Sequence, residues 1–232
     1  ALRMEVVWRN VAQAVTPPNL NAEEVEPPNI DGVKKILEYA EAEGHSLFPC
    51  IHLIAYTGIR RGEALGLIWQ NVNFEAGAID IAQSLSRSVE KGLIFQAPKT
   101  KSGRRVIDLD DDTVAVLRAH QGKQLLYKTE LNGAFEENGL VFPNQLGGPL
   151  NPMAVTRAYQ SYAKRLGITG AKIHDLRHFH ASVMLQSGQT LLLVSKRLGH
   201  ASVATTGDIY GHLLPGWQKD AAIAFAEAMK KG

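Results

Sequence analysis

Four short strings in this chain carry side chains that can hold an anion, move a proton or attack an electrophile. In Thr57-Gly58-Ile59-Arg60-Arg61-Gly62-Glu63, Gly58 closes one helical stretch and Gly62 lies just inside the next. Arg60 then projects from a tight turn, where a guanidinium can present a rigid two-pronged fork to a phosphate. In His174-Asp175-Leu176-Arg177 the histidine and arginine are three residues apart, which sets them on one helical face. Such a pair can grip one phosphate, the arginine on an oxygen and the histidine beside the attacking atom. In Leu198-Gly199-His200 the glycine stops a helix and leaves the histidine on a loop, and Tyr210 follows ten residues later, late in the next helix. The last string, Pro98-Lys99-Thr100-Lys101-Ser102-Gly103-Arg104-Arg105, falls between two strand-like segments and reads as a hairpin turn with a lysine tip.

Taken singly, each string also has an ordinary reading. Arg60 can cap a helix C-terminus, His174 and Arg177 can be a surface pair, and a lone tyrosine is most often a core residue with its hydroxyl satisfied. The lysine turn can be an exposed charged loop. His174, His178 and His180 raise the idea of zinc, but no cysteine or carboxylate pattern completes a ligand set, so no metal site is expected. The single cysteine, Cys50, excludes an intrachain disulfide and reads as a buried, inert thiol in Phe48-Pro49-Cys50-Ile51.

Positioning these groups calls for a folded domain, and the composition allows one. Of 232 residues, 45% are hydrophobic and 21% charged, an ordinary globular balance. No apolar run approaches the ~18 residues of a membrane span, and no signal-peptide pattern is present, so a cytoplasmic protein is expected. The net charge of +2 decides little, because DNA affinity follows local arrays of Lys and Arg. Those arrays exist. Lys99, Lys101, Arg104 and Arg105 form one, and Arg157, Lys164, Arg165, Lys172 and Arg177 a looser second, while acids gather at 23–26, 41–43 and 108–112. Lys99, Arg104, Arg105, Arg157 and Lys172 are the candidate DNA-binding cations.

Periodicity predicts a mixed α+β chain, mostly helical with one small three-stranded antiparallel sheet. Helices are expected at Leu2–Val15, at Gly32–Glu43 behind an Asp31 cap, at Phe48–Tyr56 and at Arg61–Leu67. Further helices fall near 110–130, 151–166, 173–187, 190–198 and 202–212. The strands are Ala78–Leu85, Leu93–Ala97 and Arg104–Leu109, with Leu140-Val141-Phe142 as a short extended piece. Pro17-Pro18 and Pro27-Pro28 bracket a linker, and Trp217, Ala221, Phe225 and Met229 make an apolar stripe on a final helix.

As a set, in this order, the strings resemble the tyrosine recombinase (phage integrase) family. The resemblance rests on Thr57-Gly58-Ile59-Arg60 with Glu63 and Leu65, on His174-Asp175-Leu176-Arg177-His178, on Leu198-Gly199-His200, and on Tyr210-Gly211-His212-Leu213-Leu214-Pro215. It covers roughly residues 30–215. It implies the recombinase catalytic-domain fold over 30–215, with 1–29 as the end of a truncated core-binding domain plus linker. Residues 216–232 would then be a helix that docks on its own domain or in trans on a neighbour.

The resemblance also implies the chemistry. Arg60, Lys101, His174, Arg177, His200 and Tyr210 map onto the family's catalytic six, with Lys99 the competing lysine. Arg60 and Arg177 would each hold a non-bridging phosphate oxygen. His174 would take the Tyr210 proton, Lys101 would protonate the leaving 5′ oxygen, and His200 would donate to the phosphate. The 3′-phosphotyrosyl product keeps the energy of the broken diester, so neither metal, ATP nor any other cofactor is implied. The implied partners are double-stranded DNA and further copies of the chain, as a tetramer on paired sites. Type IB topoisomerases share this chemistry, and a non-enzymatic helix-turn-helix binder would explain 191–210 but leave Arg60, Lys101 and His174 without a role.

Overall fold

The computed structural model describes residues 29–98, 100–213 and 217–231, without the side chains at 101, 217, 218, 220, 221, 224 and 231. The expected helix Leu2–Val15, its linker, the placement of Lys99, the Lys101 side chain and the Trp217 and Ala221 side chains lie outside the described residues.

Five of the helices start where a short polar side chain caps them. The elements are α1 (Ile30–Ala42), α2 (Phe48–Thr57), α3 (Arg61–Gly66), β1 (Val72–Asn73), β2 (Ala78–Ile81), β3 (Ser84–Ser88), β4 (Gly92–Gln96) and β5 (Arg105–Asp108). They continue as α4 (Asp111–Glu130), α5 (Pro152–Arg165), α6 (Asp175–Gln186), α7 (Leu191–Leu198), α8 (Val203–Tyr210) and α9 (Trp217–Lys231). Asp110, Asn151, Thr190 and Ser202 each accept a first-turn amide of the helix they precede. The first helix begins earlier than an Asp31 cap allows. Asn29 caps it instead, accepting the Asp31 amide at 3.0 Å, and Asp31 joins the first turn, where its charge faces the positive end of the helix.

The strands differ from expectation in their pairing. There are two sheets among the described residues, β1-β2-β5 and β3-β4, both antiparallel. The expected strand Ala78–Leu85 breaks at Gln83, whose side chain donates to the Gly66 carbonyl at 2.8 Å. Beyond the break, β3 lies against α3. A Cβ on Gly62 would meet the Leu85 carbonyl oxygen at 2.6 Å, and one on Gly66 would meet the Gln83 carbonyl oxygen at 3.0 Å. Two glycines four apart thus let a strand press onto a helix. The turn carrying Lys101 is consequently not a hairpin tip. It crosses from β4 in one sheet to β5 in the other, through a 3-10 turn at Lys101–Gly103.

The main core centres on α2, buried nearly all round and packed against α1, α4 and α6. Cys50 lies inside it, and burial pushes its thiol up to about 12. A second, smaller core joins α6, α7 and α8 through Ala181, Leu185, Val194, Leu198 and Tyr210. Among the described residues no helix is long and apolar enough to cross a membrane.

Candidate active site

Gly58 ends α2 in the left-handed region at φ 66°, as the sequence suggests. It has a second duty: a Cβ there would lie 2.7 Å from the His180 ring and 2.8 Å from Leu198. The chain then turns so that Arg60 sits at the N-terminus of α3. Its Nη1 donates to Glu63 Oε1 at 2.9 Å, and its backbone N–H donates to Glu63 Oε2 at 2.9 Å. Glu63 is also gripped by Arg105, whose Nη2 donates to Oε2 at 2.9 Å. Burial alone would raise the Glu63 carboxyl, but the Arg105 hydrogen bond and charge, with those of Arg60, hold it below the ordinary carboxylate range.

Arg177 rises from the first turn of α6 into the same space, with only 3% of the residue exposed. Its Nη1 donates to the Gly58 carbonyl at 2.8 Å, whereas Nη2 is buried without a partner. Burial first, then the nearby Arg60 charge, brings this guanidinium down to about 10, so it remains cationic at neutral pH. A buried donor with nothing to donate to is costly. It is also what a site prepared for an incoming oxyanion looks like.

Three histidines line the cluster. His200 follows Gly199, which ends α7 in the left-handed region. Its Nδ1 pairs with Thr206 Oγ1 at 2.8 Å. With the threonine hydroxyl donating, the imidazole carries its proton on Nε2 as a free donor. Burial and the charges of Arg177, Arg60 and Arg105 lower His200 to about 4. His174 stands at the start of α6, reachable from solvent, and is lowered by partial enclosure and by Arg177. Its ring meets the His178 ring edge-on at 5.1 Å between centroids. Tyr210 closes the group from α8. Its hydroxyl pairs with His178 Nδ1 at 2.7 Å, and only 1% of the residue is exposed. Burial pushes the phenol up to about 12 against the pull of Arg177.

The structure therefore gathers Arg60, His174, Arg177, His200 and Tyr210 from four separated segments into one electrostatically coupled cluster. Three residues in it carry no catalytic role in the sequence reading. Glu63 is the anion between two arginines, and its signal was its place three residues after Arg60. His178 holds the Tyr210 hydroxyl, and its signal was its place one turn after His174. Arg105 is the third. Expected on the surface among the DNA-binding cations, it has a side chain only 7% exposed and is spent on partners within the chain. Arg104, Arg157 and Lys172 are exposed, Arg104 lying 3.4 Å from Asp80. Among the described residues no group of three His, Cys, Asp or Glu side chains could hold a metal ion.

The sequence profile of the phage integrase family matches residues 29–216. The chain belongs to that family. A tyrosine recombinase XerC-like protein of Caldanaerobacter subterraneus subsp. tengcongensis is 30% identical over 211 residues, 86% of this chain and 54% of its own. The ICEBs1 integrase of Bacillus subtilis is 29% identical over 177 residues, 76% of this chain and 48% of its own. The chain thus spans about half the length of these curated relatives. In fold it is similar to the Tn1549 transposon integrase solved in complex with a circular intermediate DNA, with TM-score 0.71 and 17% identity over 95% of this chain and 70% of that one. It is similar also to the XerA recombinase, with TM-score 0.65 and 22% identity over 90% and 66%. The family's catalytic-domain fold agrees with the mostly helical architecture and small antiparallel sheets seen here.

Proposed function

We propose that this chain is the catalytic part of a site-specific DNA recombinase that integrates or excises a mobile element through a 3′-phosphotyrosine bond on Tyr210. The observation that carries the reading is Arg177, a buried cation with one donor unfilled, set among Arg60, three neutral histidines and a tyrosine. That arrangement suits an anion that gains dispersed charge in the transition state. Relatives named as integrases and tyrosine recombinases support it.

In the proposed reaction Arg60 and Arg177 hold the non-bridging oxygens of the scissile phosphate, and His200 Nε2–H donates to it. Tyr210 turns from His178 toward the phosphate and gives its proton to His174 as its oxygen bonds to phosphorus. The bond from phosphorus to the 5′ oxygen breaks, and Lys101 protonates that oxygen. Religation reverses each transfer. Exposed Arg104, Arg157 and Lys172, with Lys99, bind the flanking backbone. A DNA duplex nicked just beyond the cleavage site tests the reading, because the short 5′-hydroxyl fragment diffuses away and traps the protein. The full-length protein on its own element ends is expected to give a covalent adduct that survives SDS; binding without any adduct would leave only the non-enzymatic reading.

The lysine can be assigned the same way. Lys101→Ala should slow cleavage of the normal substrate far more than of one with a bridging 5′ sulfur, since a thiolate leaves without a proton. Sulfur rescue of Lys99→Ala alone would move the role to Lys99.

The tail is proposed to act between subunits of a tetramer on paired sites. Phe225 and Met229 on α9 are 69% and 68% exposed, which supports docking in trans over folding back. Such head-to-tail contacts can close a ring. Deleting residues 216–232 should leave single-site binding intact and weaken synapsis. Equal assembly on paired sites by the full and shortened proteins would overturn the trans arrangement.

A further inference from the structure

Arg105 lies where three parts of the site meet. Its Nε donates to the Arg197 carbonyl at 2.7 Å, in the last turn of α7 before Gly199 and His200. Its Nη1 donates to the Gly103 carbonyl at 3.0 Å, at the end of the turn that carries Lys101. Nη1 and Nη2 together reach the two Glu63 oxygens at 3.3 and 2.9 Å. Glu63 in turn holds both the backbone N–H and the guanidinium of Arg60. The packing is close. Gly199 adopts φ 71°, and a Cβ there would fall 2.7 to 3.0 Å from the Arg105 guanidinium, so only a glycine lets the plane lie beneath the turn before His200.

We propose that Arg105 is a positioning residue that fixes Arg60, the 3-10 turn Lys101–Gly103 and His200 at one mutual spacing, with no contact to DNA of its own. The inference rests on the recombinase reading of the site. Its chemistry follows from the guanidinium. Five N–H groups diverge in one plane, and four of the directions are used here on acceptors from three elements. A lysine ammonium can keep the pairing with Glu63 but cannot also reach acceptors on opposite sides. The carboxylate matters equally. Without Glu63, Arg60, Arg105 and Arg177 would repel one another; with it, Arg60 is drawn to one geometry before DNA arrives. Each of the three parts is carried by a different stretch of chain, and no regular pairing joins the lysine turn to α7. Arg105 supplies that join.

The prediction is that Arg105→Met and Arg105→Lys bind single-site DNA within about threefold of the parent while cleaving slowly, since a misplacement near one ångström costs about 10²-fold. Single-turnover cleavage is measured with nicked DNA carrying either a 5′ oxygen or a bridging 5′ sulfur at the scissile bond. On oxygen the deficit should approach 10²-fold for Met and be smaller for Lys; on sulfur it should shrink about tenfold, because the displaced general acid is no longer needed. Thermal melts establish that each variant is folded. If the Met variant unfolds, the folded Lys variant carries the test. Cleavage at the parent rate, a deficit matched by lost DNA binding, or equal deficits on both substrates overturns the proposal. Failure of the recombinase reading itself looks different, because the parent protein then forms no adduct on either substrate.

Discussion

Tyr210→Phe is expected to bind single-site DNA within about threefold of the parent and to form no covalent adduct on nicked DNA, a loss of at least about 10⁴-fold. The ring fits where the tyrosine ring sits, packed with Leu185, Val194 and Leu198. What disappears is one hydroxyl and its 2.7 Å bond to His178, worth about 1 kcal/mol of stability. Tyr159 and Tyr162, the next tyrosines to test, are poorly placed to replace it. Both lie on α5 in the main core, buried, and burial raises both phenols. The nucleophile is itself buried in this structure, so it must come outward to react. α8 suits that movement. It is eight residues long and contains Gly207, where an added Cβ would meet nothing within 4 Å. Packing therefore does not demand the glycine, which costs the helix about 1 kcal/mol relative to alanine. An adduct that persisted in the Phe variant would mean that the chemistry runs through a different residue.

Local signals in the sequence located most of this. Gly58 and Gly199 end their helices in the left-handed region where a glycine was read as a stop, and the caps at Asp110, Thr190 and Ser202 fall where helices were expected. Cap and stop signals depend on a few neighbouring residues, so they survive in any tertiary setting. Strand pairing does not. Whether β5 pairs with β4 or β2 depends on Gln83 meeting Gly66 and on two glycines of α3 admitting β3, contacts that no periodicity announces. Burial of charge is equally nonlocal. Arg104 and Arg105 are adjacent and identical in type, yet one is exposed and the other holds a buried carboxylate, because the extended backbone entering β5 turns successive side chains to opposite faces. His178 was visible as a helical neighbour of His174, but its bond to Tyr210 needs α8 folded back onto α6. The residues touching DNA in the proposed reaction were thus legible as motifs, whereas those holding them in place were not.

Arg177→Met should separate stability from activity more sharply than any other change in the site. Arg177 is almost fully buried, makes one hydrogen bond to Gly58 and leaves Nη2 unfilled. Its drop to about 10 has burial as the leading cause, followed by the neighbouring Arg60. A shift of that size corresponds to a few kcal/mol disfavouring the charged form in the folded chain. Methionine has similar length, no charge and no donors to satisfy. Removing the cation relieves both the desolvation and the repulsion, while the Gly58 carbonyl loses a partner at a cost of about 1 kcal/mol. The balance favours the variant, because Glu63 keeps its pairing with Arg60 and Arg105 and no carboxylate is left alone. Urea unfolding should show Arg177→Met at least as stable as the parent, at a pH near 7 where the arginine is charged in both states. Cleavage should fall by about 10³-fold or more, the scale of losing a preorganised donor to transition-state charge. Arg177→Lys tests the geometry apart from the charge, since a point charge on a flexible stem cannot bridge Gly58 and a phosphate oxygen together. It should stay well below parent activity. If Arg177→Met instead unfolds more easily and still forms adduct near the parent rate, Arg177 is a structural strut to α2 and the phosphate lies elsewhere.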